Sequence, residues 1–220
     1  MRTIMVAAIA AAGAALAEVK PLTTDGRGWF GDPLTWTFHA DGVSCVRTNG
    51  CRGLAVYQAA PLASNVTVEA VFTPRCAERV GWSIAGVAVV EDARNYWHLA
   101  LVQSPPEDGC RPKVELVEMR DGVWLSQSNL KMEASEEPGA QWVFGQPVRL
   151  SLSLEPSGVS GSILTTDGTV LLRRRFAFTA LAVTRGRPAL HIGGFTGAFT
   201  SINAAWSLPV AEAKEKPAFL

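Results

Sequence analysis

Val148-Arg149-Leu150-Ser151-Leu152-Ser153-Leu154 places an apolar side chain at every even number and a polar one at every odd number. Successive side chains of a strand point to opposite faces, so this run reads as a β-strand with one dry face and one wet face. Pro156-Ser157-Gly158 turns the chain after it, and Val159 to Leu164 runs back. Thr166-Asp167-Gly168-Thr169 then supplies an Asp-Gly hairpin signal, from which Val170 to Phe178 returns.

The same period of two recurs outward along the chain, broken by Gly, Pro, Asn and Asp, and no stretch carries a sustained helical stripe. Further strands are expected at Thr35 to Ala40, Val43 to Arg47, Leu54 to Gln58, Val66 to Thr73, Ser83 to Val90, Tyr96 to Gln103, Val114 to Arg120, Val123 to Ser126, Ala189 to Ile192 and Phe199 to Trp206. Asp41-Gly42 and Asp121-Gly122 are two more hairpin turns. Ser83 to Val90 is apolar on both phases, which places it in the middle of a sheet, and its Gly and Ala residues let something bulky approach closely. So many strands exceed one twisted sheet. The fold class expected is all-β: a two-sheet antiparallel β-sandwich, or jelly roll.

The 220 residues are 48% apolar and 18% charged with a formal charge of +0, which excludes a disordered chain and gives no electrostatic footprint for nucleic acid. Residues 1–17, MRTIMVAAIAAAGAALA, join an early Arg to a short apolar run and end in Ala15-Leu16-Ala17, the pattern of a cleaved signal peptide. One jelly-roll domain is then expected over 18–208, with a charged tail at 209–220, and no other run is long and apolar enough to span a membrane. The chain is accordingly expected to be secreted or periplasmic. In such an oxidising compartment Cys45, Cys51, Cys76 and Cys110 read as disulfides rather than as a metal site. Of the three pairings that four cysteines allow, Thr48-Asn49-Gly50 favours Cys45 with Cys51. Counting strand reversals brings Cys76 and Cys110 to one end of a sheet.

An ordered series of short motifs resembles a known superfamily. Trp36, Ala40-Asp41-Gly42-Val43, Val68-Glu69-Ala70-Val71-Phe72, and Ala85-Gly86-Val87-Ala88-Val89 with Asp92 and Asn95-Tyr96 come first. Val148 to Leu152, the hairpin to Leu171-Leu172 and a late Gly193-Gly194 follow in the same order. From about Gly28 to Trp206 the chain is similar to concanavalin A-like or laminin-G-like jelly rolls, in the style of bacterial domains related to the 3-keto-disaccharide hydrolase domain. The resemblance implies a β-sandwich whose relatives bind sugars on a concave sheet. It also admits calcium, although the chain has no D-x-D-x-D run to ligate it, and no cofactor is expected.

Catalytic patterns are missing from the sequence. The superfamily's glucanases use carboxylates at E-x-D-x-x-E or E-x-D-x-E spacing; here the nearest pair, Glu115 and Glu118, is three apart and falls on opposite faces of a strand. Gly158-Val159-Ser160-Gly161 fails the G-x-S-x-G pattern, and His39, His98 and His191 stand alone in the sequence with no H-E-x-x-H spacing. Arg173-Arg174-Arg175 divides its charge between two faces and reads as a solvated or edge-strand run.

Aromatic placement gives the candidate site. In Tyr96 to Gln103 the phase Trp97, Leu99, Leu101 faces the other sheet, leaving Tyr96 and His98 on the outer, concave face. If the hairpin turns at Asp121-Gly122, Trp124 faces Met119 and shares a face with Glu115 and Val117. Tyr96, His98, Glu115 and Trp124 are therefore the expected ligand-binding residues, with no catalytic and no metal residues assigned. The expected function is an exported carbohydrate-binding or accessory module taking a glycan or polysaccharide. One rival is a glycoside hydrolase or lyase resembling the 3-keto-disaccharide hydrolase domain; another is a structural or protein-interaction module whose partner is an envelope protein. Intact-mass analysis of the exported protein should give a chain beginning at Glu18, and a mature form retaining residues 1–17 would refute the signal reading.

Overall fold

The computed structural model describes residues 19–46, 52–78 and 80–207. The expected signal peptide, the tail from 209 and Cys51 lie outside the described residues. In chain order the strands are β1 (Lys20–Pro21), β2 (Trp29–Phe30), β3 (Trp36–His39), β4 (Gly42–Val46), β5 (Arg52–Tyr57), β6 (Asn65–Ala77), β7 (Ser83–Asp92) and β8 (Asn95–Gln103). They continue with β9 (Pro112–Arg120), β10 (Val123–Trp124), β11 (Lys131–Glu136), β12 (Val148–Glu155), β13 (Gly158–Thr165), β14 (Val170–Ala177), β15 (Arg187–Gly193) and β16 (Phe195–Ser207).

These strands form two sheets, and every pairing is antiparallel. A nine-stranded sheet runs β11-β14-β13-β12-β6-β16-β4-β3, with β1 added on β16; a seven-stranded sheet runs β10-β9-β8-β7-β15-β5-β2. The alternation in β12 has the consequence its sequence demands: Val148, Leu150, Leu152 and Leu154 are buried in the core between the sheets, while the polar positions between them stay accessible. From the opposite sheet Val87, Val89, Trp97, Leu99, Leu101 and Leu116 meet them in one apolar cluster. Trp97 lies stacked on Phe176 with ring centroids 6.0 Å apart, and its indole N–H donates to the Val183 carbonyl at 3.0 Å.

β7, apolar on both phases, is the middle strand of the seven-stranded sheet, flanked by β8 and β15. The late Gly193-Gly194 marks the step from β15 in one sheet to β16 in the other, where Gly194 adopts a φ of 69°. A Cβ there would meet the Ser83 hydroxyl, so both the dihedral and the space call for glycine.

Three features differ from the sequence reading. First, β1, β2 and β11 were not expected; the first two are two-residue strands, too short to show a period. Second, Arg173-Arg174-Arg175 lies on β14, which is not an edge, because β11 pairs outside it. Arg173 meets Glu136 at 3.0 Å, Arg174 meets Glu137 at 2.8 Å, and Arg175 meets Glu133 and Glu155 at 3.0 and 2.9 Å, so the basic run fastens the edge strand.

Third, the expected Cys76–Cys110 pair is not formed, while the expected partner of Cys45, Cys51, lies outside the described residues. Cys45 is a free thiol because the alternation of β4 turns it inward, where its Sγ donates to the Gly197 carbonyl at 3.5 Å. Cys76 and Cys110 are free and exposed. Their pairing assumed that β6, β7 and β8 are neighbours in one sheet, whereas the chain changes sheets between β6 and β7. Burial pushes the Cys45 thiol up to about 12, which removes its reactive thiolate. Iodoacetamide should therefore alkylate Cys76 and Cys110 in the native protein and spare Cys45 until denaturant is added, as read by peptide mapping.

Candidate functional site

The outer face of the seven-stranded sheet carries the candidate residues, in the register that the sequence anticipates. Trp124 lies opposite Met119 in the β9–β10 hairpin, and Val123 lies opposite Arg120. Glu115 and Glu118 take opposite faces. Glu118 is buried on the core side, where its carboxylate accepts from Arg120 at 2.6 Å and from the Val183 backbone N–H at 2.7 Å; burial pushes its carboxyl up against those two contacts.

Tyr96 and His98 take the outer phase but are not exposed there, being 2% and 0% accessible. Trp124 covers them: its ring centroid lies 4.3 Å from that of His98 and 5.5 Å from that of Tyr96. Both rings are thus support beneath Trp124 and not surfaces for a ligand. Ala88, Val90, Met119 and Ala189 complete the small apolar cluster under them.

His98 and His191 meet, although 93 residues separate them in the chain. His98 lies beside Ala88 on β8, and His191 lies beside Gly86 on β15, so the two strands bracket β7. Neighbouring strands are about 4.8 Å apart, and two rings facing each other across a central strand span that gap only over small side chains. Their Nδ1 atoms stand 3.0 Å apart. On its other side His98 presents Nε2 to Glu115 Oε1 at 2.9 Å, off the line of the ring N–H, so the contact is electrostatic before it is a hydrogen bond. The bulky groups that the Gly and Ala residues of β7 admit are therefore the protein's own imidazoles.

On this face a groove of about 290 Å³ is open beside them, lined by Trp82, Ile84, Val102, Glu115, Val117, Trp124 and Leu125. Glu115 is its one charged lining group, with a side chain 29% accessible. Trp82, which the sequence reading did not select, is 46% accessible, and the Lys113 ammonium sits 4.9 Å from its ring centroid. It precedes β7 and so escapes any argument from strand phase. Its available signal was position: a tryptophan directly after Gly81, at the mouth of the central strand.

Neither a protein-family model nor a curated protein sequence matches the chain. Solved structures do match its fold. The carbohydrate-binding module CBM66 from Bacillus subtilis superposes with a TM-score of 0.55 at 14% identity, covering 81% of this chain and 95% of that one. The exoplasmic/lumenal domain of VIP36 in its Ca2+/Man3GlcNAc-bound form gives 0.57 at 10% identity, covering 89% and 92%. Xylan beta-1,4-xylosidase from Bacillus halodurans C-125 gives 0.52 at 9% identity over 79% of this chain but 35% of the xylosidase. The chain has the concanavalin A-like jelly-roll fold. Among the described residues no three His, Cys, Asp or Glu side chains converge to hold a metal ion. Among the same residues no helix is long and apolar enough to cross a membrane.

Since Trp124 roofs two buried rings, Trp124→Ala should lower unfolding free energy by about 2–3 kcal/mol in urea titrations, short of the cost of deleting a fully buried core tryptophan.

Proposed function

We propose that the chain is an exported carbohydrate-binding β-sandwich and that a neutral glycan lies in the groove between Trp82 and Trp124. The observation that carries this reading is the placement of two partly open indoles beside one carboxylate held from behind by His98. An indole face offers a broad apolar platform for the C–H face of a sugar ring, and a carboxylate accepts hydroxyl donors. Concave sites commonly divide work in this way, with apolar walls for affinity and a few polar groups for orientation. The carboxylate also selects by repulsion: it opposes uronic or sulfated sugars.

Binding without turnover is the better supported form of this reading. Glycoside hydrolysis by the common route needs two carboxyl groups flanking one bond, and the groove lining contains Glu115 alone. The fold shared with a carbohydrate-binding module and with a Man3GlcNAc-bound domain supports the ligand class. The expectation of export rests on the leader-like residues 1–17.

Isothermal titration against neutral xylo- and manno-oligosaccharides, with oligogalacturonate as the acidic control, tests the assignment. Trp82→Ala should weaken the neutral ligand by about 1–3 kcal/mol, the magnitude of a hot spot, with little change in melting temperature because the ring is half open. Affinity that survives both Trp82→Ala and Glu115→Gln places the ligand elsewhere.

A further inference from the structure

β9 brings two opposite charges to one face of its sheet. Lys113 and Glu115 are two residues apart on that strand, so they share a face, with Cα atoms about 7 Å apart. Ile84, Val102 and Lys113 form one rung across β7, β8 and β9; Gly86, Ala100 and Glu115 form the next. The backbone here is fixed, because the indole of Trp142, itself 3% accessible, donates to the Lys113 carbonyl at 2.8 Å. The Lys113 side chain is exposed. Its ammonium sits 4.9 Å from the Trp82 ring centroid at the groove rim, and among the described residues it forms no ion pair.

The hydrogen-bonding capacity of the groove is one-sided. The side chains of Ile84, Val102, Val117 and Leu125 offer no polar atom, and an ionised carboxylate only accepts. Glu115 Oε1 faces His98 Nε2 at 2.9 Å, which leaves Oε2 for a ligand. A sugar hydroxyl both donates and accepts. Once it has donated to Glu115 it is the better acceptor, because hydrogen bonds in a chain polarise one another. The donor that this hydroxyl, or its neighbour on the same ring, calls for is the Lys113 ammonium. Two hydrogen bonds of about 3 Å each, with the edge of a sugar between them, span the gap from Glu115 to Lys113.

We propose that Lys113 is the specificity-determining donor of the groove: it rests on Trp82 while the groove is empty and, when a glycan arrives, turns to a hydroxyl beside the one that Glu115 accepts from. The ligand class so selected is a neutral sugar with two adjacent free hydroxyls on one edge. A cation on an exposed aromatic face is held weakly, so the exchange costs little, and it clears the indole for the C–H face of the sugar. Lys113 donates and Glu115 accepts, and a sugar lacking either hydroxyl loses one of the two contacts. The assignment rests on the reading of the groove as a glycan site.

Titration calorimetry of the wild-type protein, Lys113→Met and Lys113→Arg with mannotriose and xylotriose tests it. Methionine keeps an apolar stem over Trp82 and removes the donor. Lys113→Met should raise Kd about tenfold, the effect of one hydrogen bond to a charged group, whereas Lys113→Arg should stay within about threefold of the wild type. A residue that only held the Trp82 ring would be indifferent to which hydroxyls the ligand carries. The second readout is therefore a series of trisaccharide analogues each lacking one hydroxyl: one of them should lose affinity for the wild type and lose none for Lys113→Met. If Lys113→Met binds as the wild type does, or every analogue loses the same factor in both proteins, the assignment of Lys113 is overturned and the glycan reading stands. If neither parent trisaccharide binds the wild type, the glycan reading falls and the assignment falls with it. Lys113 is exposed, so neither variant depends on repacking the core.

Discussion

The seven-stranded sheet depends on what lies across Gly86 and Ala88. Two imidazoles reach over β7 from the strands on either side and meet above it. A Cβ at residue 86 would also run into the Leu99 carbonyl oxygen of the neighbouring strand, so the backbone there admits no side chain. The small residues bring β8, β7 and β15 into one unit, the imidazoles hold Glu115 from behind, and Trp124 closes the unit from above. Groove and sheet thus share one packing problem and one solution.

The two sheets solve their outer faces differently. On the seven-stranded sheet an aromatic and a pair of histidines close the centre, leaving the groove at its flank. On the nine-stranded sheet β12 and β13 present serines outward, and the arginines of β14 and the glutamates of β11 stand toward one margin. Glu69, Ser151, Ser162, Arg173 and Glu136 fall in one rung across β6, β12, β13, β14 and β11. The Arg–Glu contacts at its end hold β11, every residue of which is exposed, and exposed ion pairs of this kind contribute little singly and lose strength as salt screens them. Arg174 is the exception: its side chain is 5% accessible and bonds Ser135 and Glu137.

The strands were legible wherever one face is wet and the other dry, because alternation then records the sheet directly; β12 is the clearest case and β7, apolar on both phases, the complementary one. The β9–β10 register was equally legible, since the Asp121-Gly122 turn leaves one way to pair Trp124 with Met119. Phase gives a face but not its depth. It placed Tyr96 and His98 outward, and only the position of Trp124 above them reveals that they are covered. Contacts between distant strands left no local trace: His98 and His191 read as solitary because β7 brings them together from far apart in the chain. The cysteine pairing failed for a related reason, since no residue between β6 and β7 announces the change of sheet.

The order of the strands also governs when the molecule can close. β5, and β2 through it, joins its sheet by way of β15; β4, β3 and β1 join theirs by way of β16. The long ladder between β6 and β16 ties Val66 to Trp206 and Val68 to Ala204. Loops of that length are costly to close before their contacts form, and chains rich in such distant pairings fold slowly. During synthesis the first five strands therefore emerge without their sheets and wait for the last two. Residues 187–207 act as a clasp that gathers the strands preceding β6 into their two sheets.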